Sequence, residues 1–155
     1  MKEISKFFGV SIDELLSGDE VITIAEKEKK DTENRFLDLI FGLLDISVAI
    51  LVFLPFFGYR VDGIVREVSL LSLEGIQTYL KIAYIAIFAL IIFWGILILA
   101  SQRTDNALII KYKYRISIIL YAVAALLFIL SSQPYAAVFF FIFHLTKIMI
   151  LGKKG

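Results

Sequence analysis

The chain has 155 residues, of which 59% are hydrophobic and only 20% charged, with mean hydropathy +0.85. A soluble domain is nearer half apolar and a quarter charged, so this composition argues against an ordinary soluble enzyme. The net charge of +1 offers no global attraction for nucleic acid, and the absence of cysteine excludes disulfides, thiolate metal sites and thiol catalysis.

Residues 1–35 carry most of the acids and six of the sixteen Lys/Arg, whereas the rest is dominated by long apolar runs. No basic start followed by an apolar core and a cleavage site marks a signal peptide. Ile4, Phe7 and Phe8 recur on one helical face, and Gly9 ends that helix. Ser11-Ile12-Asp13-Glu14 fits a capping box for a second short helix, which carries Leu15 and Leu16 and stops at Gly18. Glu20 to Arg35 reads as a solvated juxtamembrane linker, because acids interleave with its lysines.

A bilayer core takes roughly 20 apolar residues as helix. Four segments meet that need, at about 36–57, 82–100, 113–130 and 135–151. The last two come from a run of 31 residues without a formal charge, Ile116 to Thr146, divided at Ser131-Ser132-Gln133-Pro134. Proline removes a backbone donor and disfavours helix before it, so a tight hairpin turn is expected there. Lys/Arg then total thirteen on one side and three on the other. Both termini are expected in the cytoplasm. Between the first two spans, Ile64, Val68 and Leu71 fit one helix face, which suggests an amphipathic helix on the outer surface. A lid or sensor over the bundle is the sharper alternative, and a β-hairpin stays open.

Ionisable residues inside a membrane segment are costly and mark candidate sites. Asp38 and Asp45 lie two turns apart on the first span, and His144 and Lys147 share a face of the fourth. Similar depths suggest pairing Asp38 with Lys147 and Asp45 with His144, either as structural locks or as a proton- or ligand-responsive switch. One histidine and no cysteine make no zinc or bis-histidine haem site. No phosphate cradle or nucleophile elbow occurs, and carboxylates about 10 Å apart suit no single reacting atom. No cofactor and no enzymatic activity are expected. Phe139, Phe140, Phe141 and Phe143 read as lipid-facing bulk, and Trp94 as packing.

The stretch Ile4-Ser5-Lys6-Phe7-Phe8-Gly9-Val10-Ser11-Ile12-Asp13-Glu14-Leu15-Leu16-Ser17-Gly18-Asp19 resembles the closing helices of XRE-type (lambda-repressor-like) helix-turn-helix domains. In that family the DNA-reading helix precedes this segment. The resemblance therefore implies a C-terminal fragment of such a regulator, fused to a four-span membrane domain. Gly58-Tyr59-Arg60-Val61-Asp62-Gly63 and Val68-Ser69-Leu70-Leu71-Ser72-Leu73 resemble parts of the four-span tails that follow such domains in some Firmicute-type regulators.

The expected fold class is all-α: a polytopic four-helix transmembrane bundle (36–155) behind a partial helix-turn-helix remnant (1–19) and a charged linker (20–35). The expected function is a membrane-anchored, regulator-derived protein with a truncated DNA-binding domain, its bundle acting as anchor or sensor. A small accessory subunit or partner of a membrane transporter is the alternative. Expected partners are the lipid bilayer, DNA if an upstream helix-turn-helix precedes the chain, and a second copy or a membrane partner protein.

Overall fold

Helix α1 covers Ile12–Leu51, in a computed structural model that describes residues 12–103 and 107–153. The motif readings at residues 1–11 lie outside the described residues. The expected stop at Gly18 is absent, and α1 continues through it. The chain divides into two units, residues 1–36 and 37–155. In the first, the described part of α1 is exposed from Ser17 onward apart from half-buried Asn34. Mixed charges without a buried stripe give a helix no core to join.

The second unit holds the core. Its part of α1 buries Leu37, Asp38, Phe41, Asp45, Val48 and Leu51, a face repeated every three to four residues. Strands β1 (Phe57–Val61) and β2 (Ile64–Val68) follow as an antiparallel pair. Next come helix α2 (Thr78–Ala100), a 3-10 turn at Ser101–Arg103, helix α3 (Ala107–Leu130) and helix α4 (Pro134–Gly152). Helix dominates, but the all-α expectation needs correction for this small sheet.

The hairpin also replaces the amphipathic helix expected between the first two apolar segments. Its turn is Asp62-Gly63, both at positive φ (51° and 80°). That is the type I′ geometry, whose twist matches the two strands it joins. The Asp-Gly signal outweighs the helical spacing of Ile64, Val68 and Leu71, because a two-residue turn fixes the pairing locally.

The turn between α3 and α4 falls where Ser131-Ser132-Gln133-Pro134 placed it. Gln133 N–H donates to Phe128 C=O at 2.8 Å and Ser132 N–H to Ile129 C=O at 3.1 Å. These two bonds are a Schellman closure of α3, with Ser132 in the left-handed position at φ 57°. Pro134 opens α4, where its missing N–H costs nothing. Ser132→Gly is expected to raise stability by about 1 kcal/mol, since glycine accepts this backbone without strain. A thermal midpoint at or below that of the unaltered protein would contradict this.

The core is an aromatic stack. Phe128 lies 4.9 Å from Tyr84 and 5.1 Å from Phe140, with Phe57 at 5.8 Å. Phe140 is fully buried, and Phe139 and Phe143 pack against the core, so of that run only Phe141 is exposed and the expectation of outward-facing bulk needs correction for the other three. Helices α1 and α2 meet at Gly42 and Gly95, where added Cβ atoms would come within 3.1 Å of the facing carbonyl. Among the described residues three helices are long and apolar enough to cross a membrane: Thr78–Ala100, Lys111–Leu130 and Pro134–Gly152.

Candidate polar site in the helical bundle

Two polar layers lie inside this apolar unit, and α1 supplies the acid in each. In the first, Lys113 of α3 places its Nζ 2.5 Å from Asp38 Oδ1 and 2.6 Å from Oδ2. Tyr114 donates its hydroxyl to the same carboxylate at 2.6 Å, and its ring packs on Phe41 at 4.9 Å. Trp94 of α2 donates its indole N–H to the Lys113 carbonyl at 3.0 Å, so Trp94 does more than fill space.

The second layer ties three helices. Lys147 of α4 forms an ion pair with Asp45 of α1, and also donates to Ser117 Oγ of α3 at 2.7 Å. Ser117 in turn donates to the second Asp45 oxygen at 2.9 Å. The third face of the ammonium meets the Tyr121 ring, 3.7 Å from its centroid. Tyr121 donates its hydroxyl to the Leu44 carbonyl at 3.1 Å, which holds the ring under the ammonium. An ammonium has three donors, and here an acid, a hydroxyl and a π-face receive them. Lys147 is 0% exposed and Asp45 1%. Burying such a pair costs several kcal/mol per ion in desolvation, so full satisfaction of its polar atoms is what makes the layer tolerable.

The expected partners were different. Asp45 pairs with Lys147 rather than His144, and Asp38 with Lys113 rather than Lys147. The reason lies at the turn end of the bundle. Gly58 N–H donates to Gln133 Oε1 at 2.7 Å, and Gln133 Nε2 donates back to the Gly58 carbonyl at 3.2 Å. That clasp sets the start of α4 against the hairpin that follows α1, and in this register Lys147 falls beside Asp45. Depth counted from the opposite ends of the two segments misses this. His144 stands beside the layer, half-buried, with Nδ1 lacking a partner among the described residues. Lys113, Ser117, Tyr114 and Tyr121 escaped sequence reading. The usable signal was the seven-residue spacing of Tyr114 and Tyr121 on α3, which equals that of Asp38 and Asp45 on α1.

These layers offer no chemistry on a substrate, since both acids and both ammonium groups are consumed in pairs. No group of three or more His, Cys, Asp or Glu placed to hold a metal occurs among the described residues.

Over 154 residues the chain is 35% identical to the HTH-type transcriptional activator BcrR of Enterococcus faecalis, a match covering 99% of this chain and 76% of that protein. The chain belongs to the BcrR family of HTH-type transcriptional activators. The matched stretch takes in residues 1–36, the hairpin and the helices that carry both polar layers. It overturns the reading of the chain as a C-terminal fragment of an XRE-type regulator fused to a four-span membrane domain: the head (residues 1–36) and the bundle match one BcrR-like chain together. As a member of a family of regulators, the chain is not an enzyme. No family model matches the chain, and no solved structure matches it.

Proposed function

We propose that this chain regulates transcription from the membrane: its bundle crosses the bilayer four times with both termini in the cytoplasm, and its head engages DNA. The observation that carries the reading is the inverted surface of the second unit. Leu90, Phe93, Ile119, Leu126, Phe141 and Ile142 are exposed, while Asp38, Asp45, Lys113 and Lys147 are buried. Water would favour the opposite arrangement, because unpaired apolar surface costs free energy and charges prefer solvation. Hydrocarbon favours this one. The mean hydropathies of the three apolar helices, 2.8, 1.9 and 1.8, support it. The thirteen-to-three division of Lys/Arg supports the orientation.

The DNA half rests on the similarity to BcrR, an HTH-type transcriptional activator. Under this reading α1 is the connecting element, since the helix that carries Asp38 and Asp45 also runs back toward the head. The two ion pairs set the register of α1 against α3 and α4. A signal that moves α1 must act on both pairs.

The test uses membranes from cells expressing the full chain. They should retain it through alkaline carbonate washing. They should also capture DNA flanking the chain's own gene more strongly than unrelated DNA, with capture falling steeply as salt rises. Recovery of the chain in the wash, or capture indifferent to sequence, would overturn the corresponding half.

A further inference from the structure

We propose that the cleft between the β-hairpin and the α3–α4 turn is a binding site for a phosphate ester, with Arg60 as its anion-binding residue. The inference deepens the regulatory reading by giving the bundle a ligand, and it rests on that reading for its purpose but not for its geometry.

The cleft has a volume of about 540 Å³ and is lined by Gly58, Arg60 and Val65 of the hairpin and by residues 131–135 of the turn. That volume falls within the range of roughly 300–1,000 Å³ found for small-molecule sites. Strand alternation explains the lining. Gly58 and Arg60 share one face of β1, and Val65 faces Arg60 across the ladder. Tyr59 and Arg66 form a cross-strand pair on the other face.

The floor is fixed rather than loose. The Gln133 amide is buried and bonded both ways to Gly58, which clasps hairpin and turn together. The wall includes Ser132 at φ 57°, a strained position of the kind that collects at functional sites.

The polar lining selects the ligand. Arg60 has no carboxylate partner among the described residues, and no acid lines the cleft. Glu67 shares the strand face but is not part of the lining. The Ser131 hydroxyl is committed to the Leu127 carbonyl at 2.6 Å. The hydroxyls of Ser132 and Tyr135 make no hydrogen bond among the described residues, which leaves them to a ligand. A guanidinium fork with two hydroxyl donors suits an oxyanion bearing several acceptor oxygens. Val65 and Pro134 supply an apolar flank for the ester's carbon skeleton. Such an ester is supplied either by a phospholipid headgroup or by a soluble phosphate.

The test is ligand-induced thermal stabilisation of the full chain in a non-ionic detergent. The probes are dihexanoyl phosphatidylglycerol, glycerol 3-phosphate and dihexanoylglycerol, which lacks phosphate. The phosphatidylglycerol should stabilise saturably. Stabilisation by glycerol 3-phosphate as well assigns recognition to the headgroup alone, and its failure assigns the site to a lipid; both outcomes support the proposal. Arg60→Gln should weaken the apparent affinity about tenfold, the loss expected for one charge-assisted hydrogen-bonding partner. Arg66→Gln, on the other hairpin face, should leave it within about twofold of the unaltered chain. Equal loss in both variants, stabilisation by dihexanoylglycerol, or no saturable effect of either phosphate overturns it. Tyr135→Phe keeps the ring and removes one hydroxyl, so it should weaken binding less than Arg60→Gln even if the arginine variant folds poorly; an unchanged affinity for it counts against the site. Binding in detergent does not depend on where the chain resides in the cell, so failure here and failure of carbonate-resistant membrane association are read separately.

Discussion

Lys147→Met is expected to destabilise the protein by about 3–5 kcal/mol, the cost of stranding one member of a buried ion pair. The substitution keeps most of the side-chain volume, so the loss is electrostatic. Asp45 would keep only neutral hydroxyls, those of Ser117 and Tyr121, as side-chain donors at a position 1% exposed. Asp45→Asn alone should cost a similar amount, since Lys147 would then lose its counter-ion while still facing Tyr121 and Ser117. The double variant should be more stable than either single one, because no uncompensated charge remains. Reversible unfolding in mixed micelles measures all three. Additive losses would show that the pair is not coupled. Lys113→Met is the control from the other layer, where Tyr114 still donates to Asp38 and softens the loss.

The second large effect is steric. A Cβ at Gly95 would lie 2.5 Å from the Asp45 Cβ, 3.1 Å from the Gly42 carbonyl and 3.3 Å from the Ile46 nitrogen. Two of those atoms are backbone, and the third holds the carboxylate that binds Lys147. Gly95→Ala must therefore part α1 from α2 or displace Asp45 from its partner. Overpacking of this kind costs about 1–3 kcal/mol. Gly42→Ala makes the comparison. Its nearest obstruction is the Leu99 side chain at 2.5 Å, which can turn aside, so its cost should be smaller. If the two variants lose equal stability, the helices yield as a whole and the Asp45 layer is not what resists.

Much of this architecture is legible from residues alone. The uncharged run from Ile116 to Thr146 and its Ser131-Ser132-Gln133-Pro134 break mark two helices and a turn, because proline and chain length act locally. Asp38, Asp45 and Lys147 stand out because charge within apolar sequence demands an explanation. Their partners do not stand out. Lys113 sits near the start of an apolar run, where a boundary lysine is ordinary, and Ser117 and Tyr121 are unremarkable on any helix. Which ammonium meets which acid depends on the Gly58–Gln133 clasp, a contact between residues 75 positions apart. The hairpin was legible in Asp62-Gly63, but the helical spacing of the apolar residues around it pointed the other way. The burial of Phe140 beside exposed Phe141 illustrates the remaining gap. In hydrocarbon and in a protein core alike phenylalanine is at home, so composition alone does not separate the two faces of an apolar helix.

The head teaches a different lesson. A capped helix pair is a generic object, and residues 4–19 alone suggested a fragment of one large regulator family. Similarity along the whole chain to BcrR gives the better description, because it includes the bundle that a short motif ignores.

The proposed four-span arrangement with cytoplasmic termini is tested most directly by cysteine labelling, for which the chain is suited because it has no cysteine of its own. Asp62→Cys places a thiol at the exposed hairpin tip, and Lys153→Cys places one just beyond α4. In intact cells a membrane-impermeant maleimide should modify the Asp62→Cys variant and reach the Lys153→Cys variant only after permeabilisation. Labelling of both variants, or of neither, in intact cells would contradict the account.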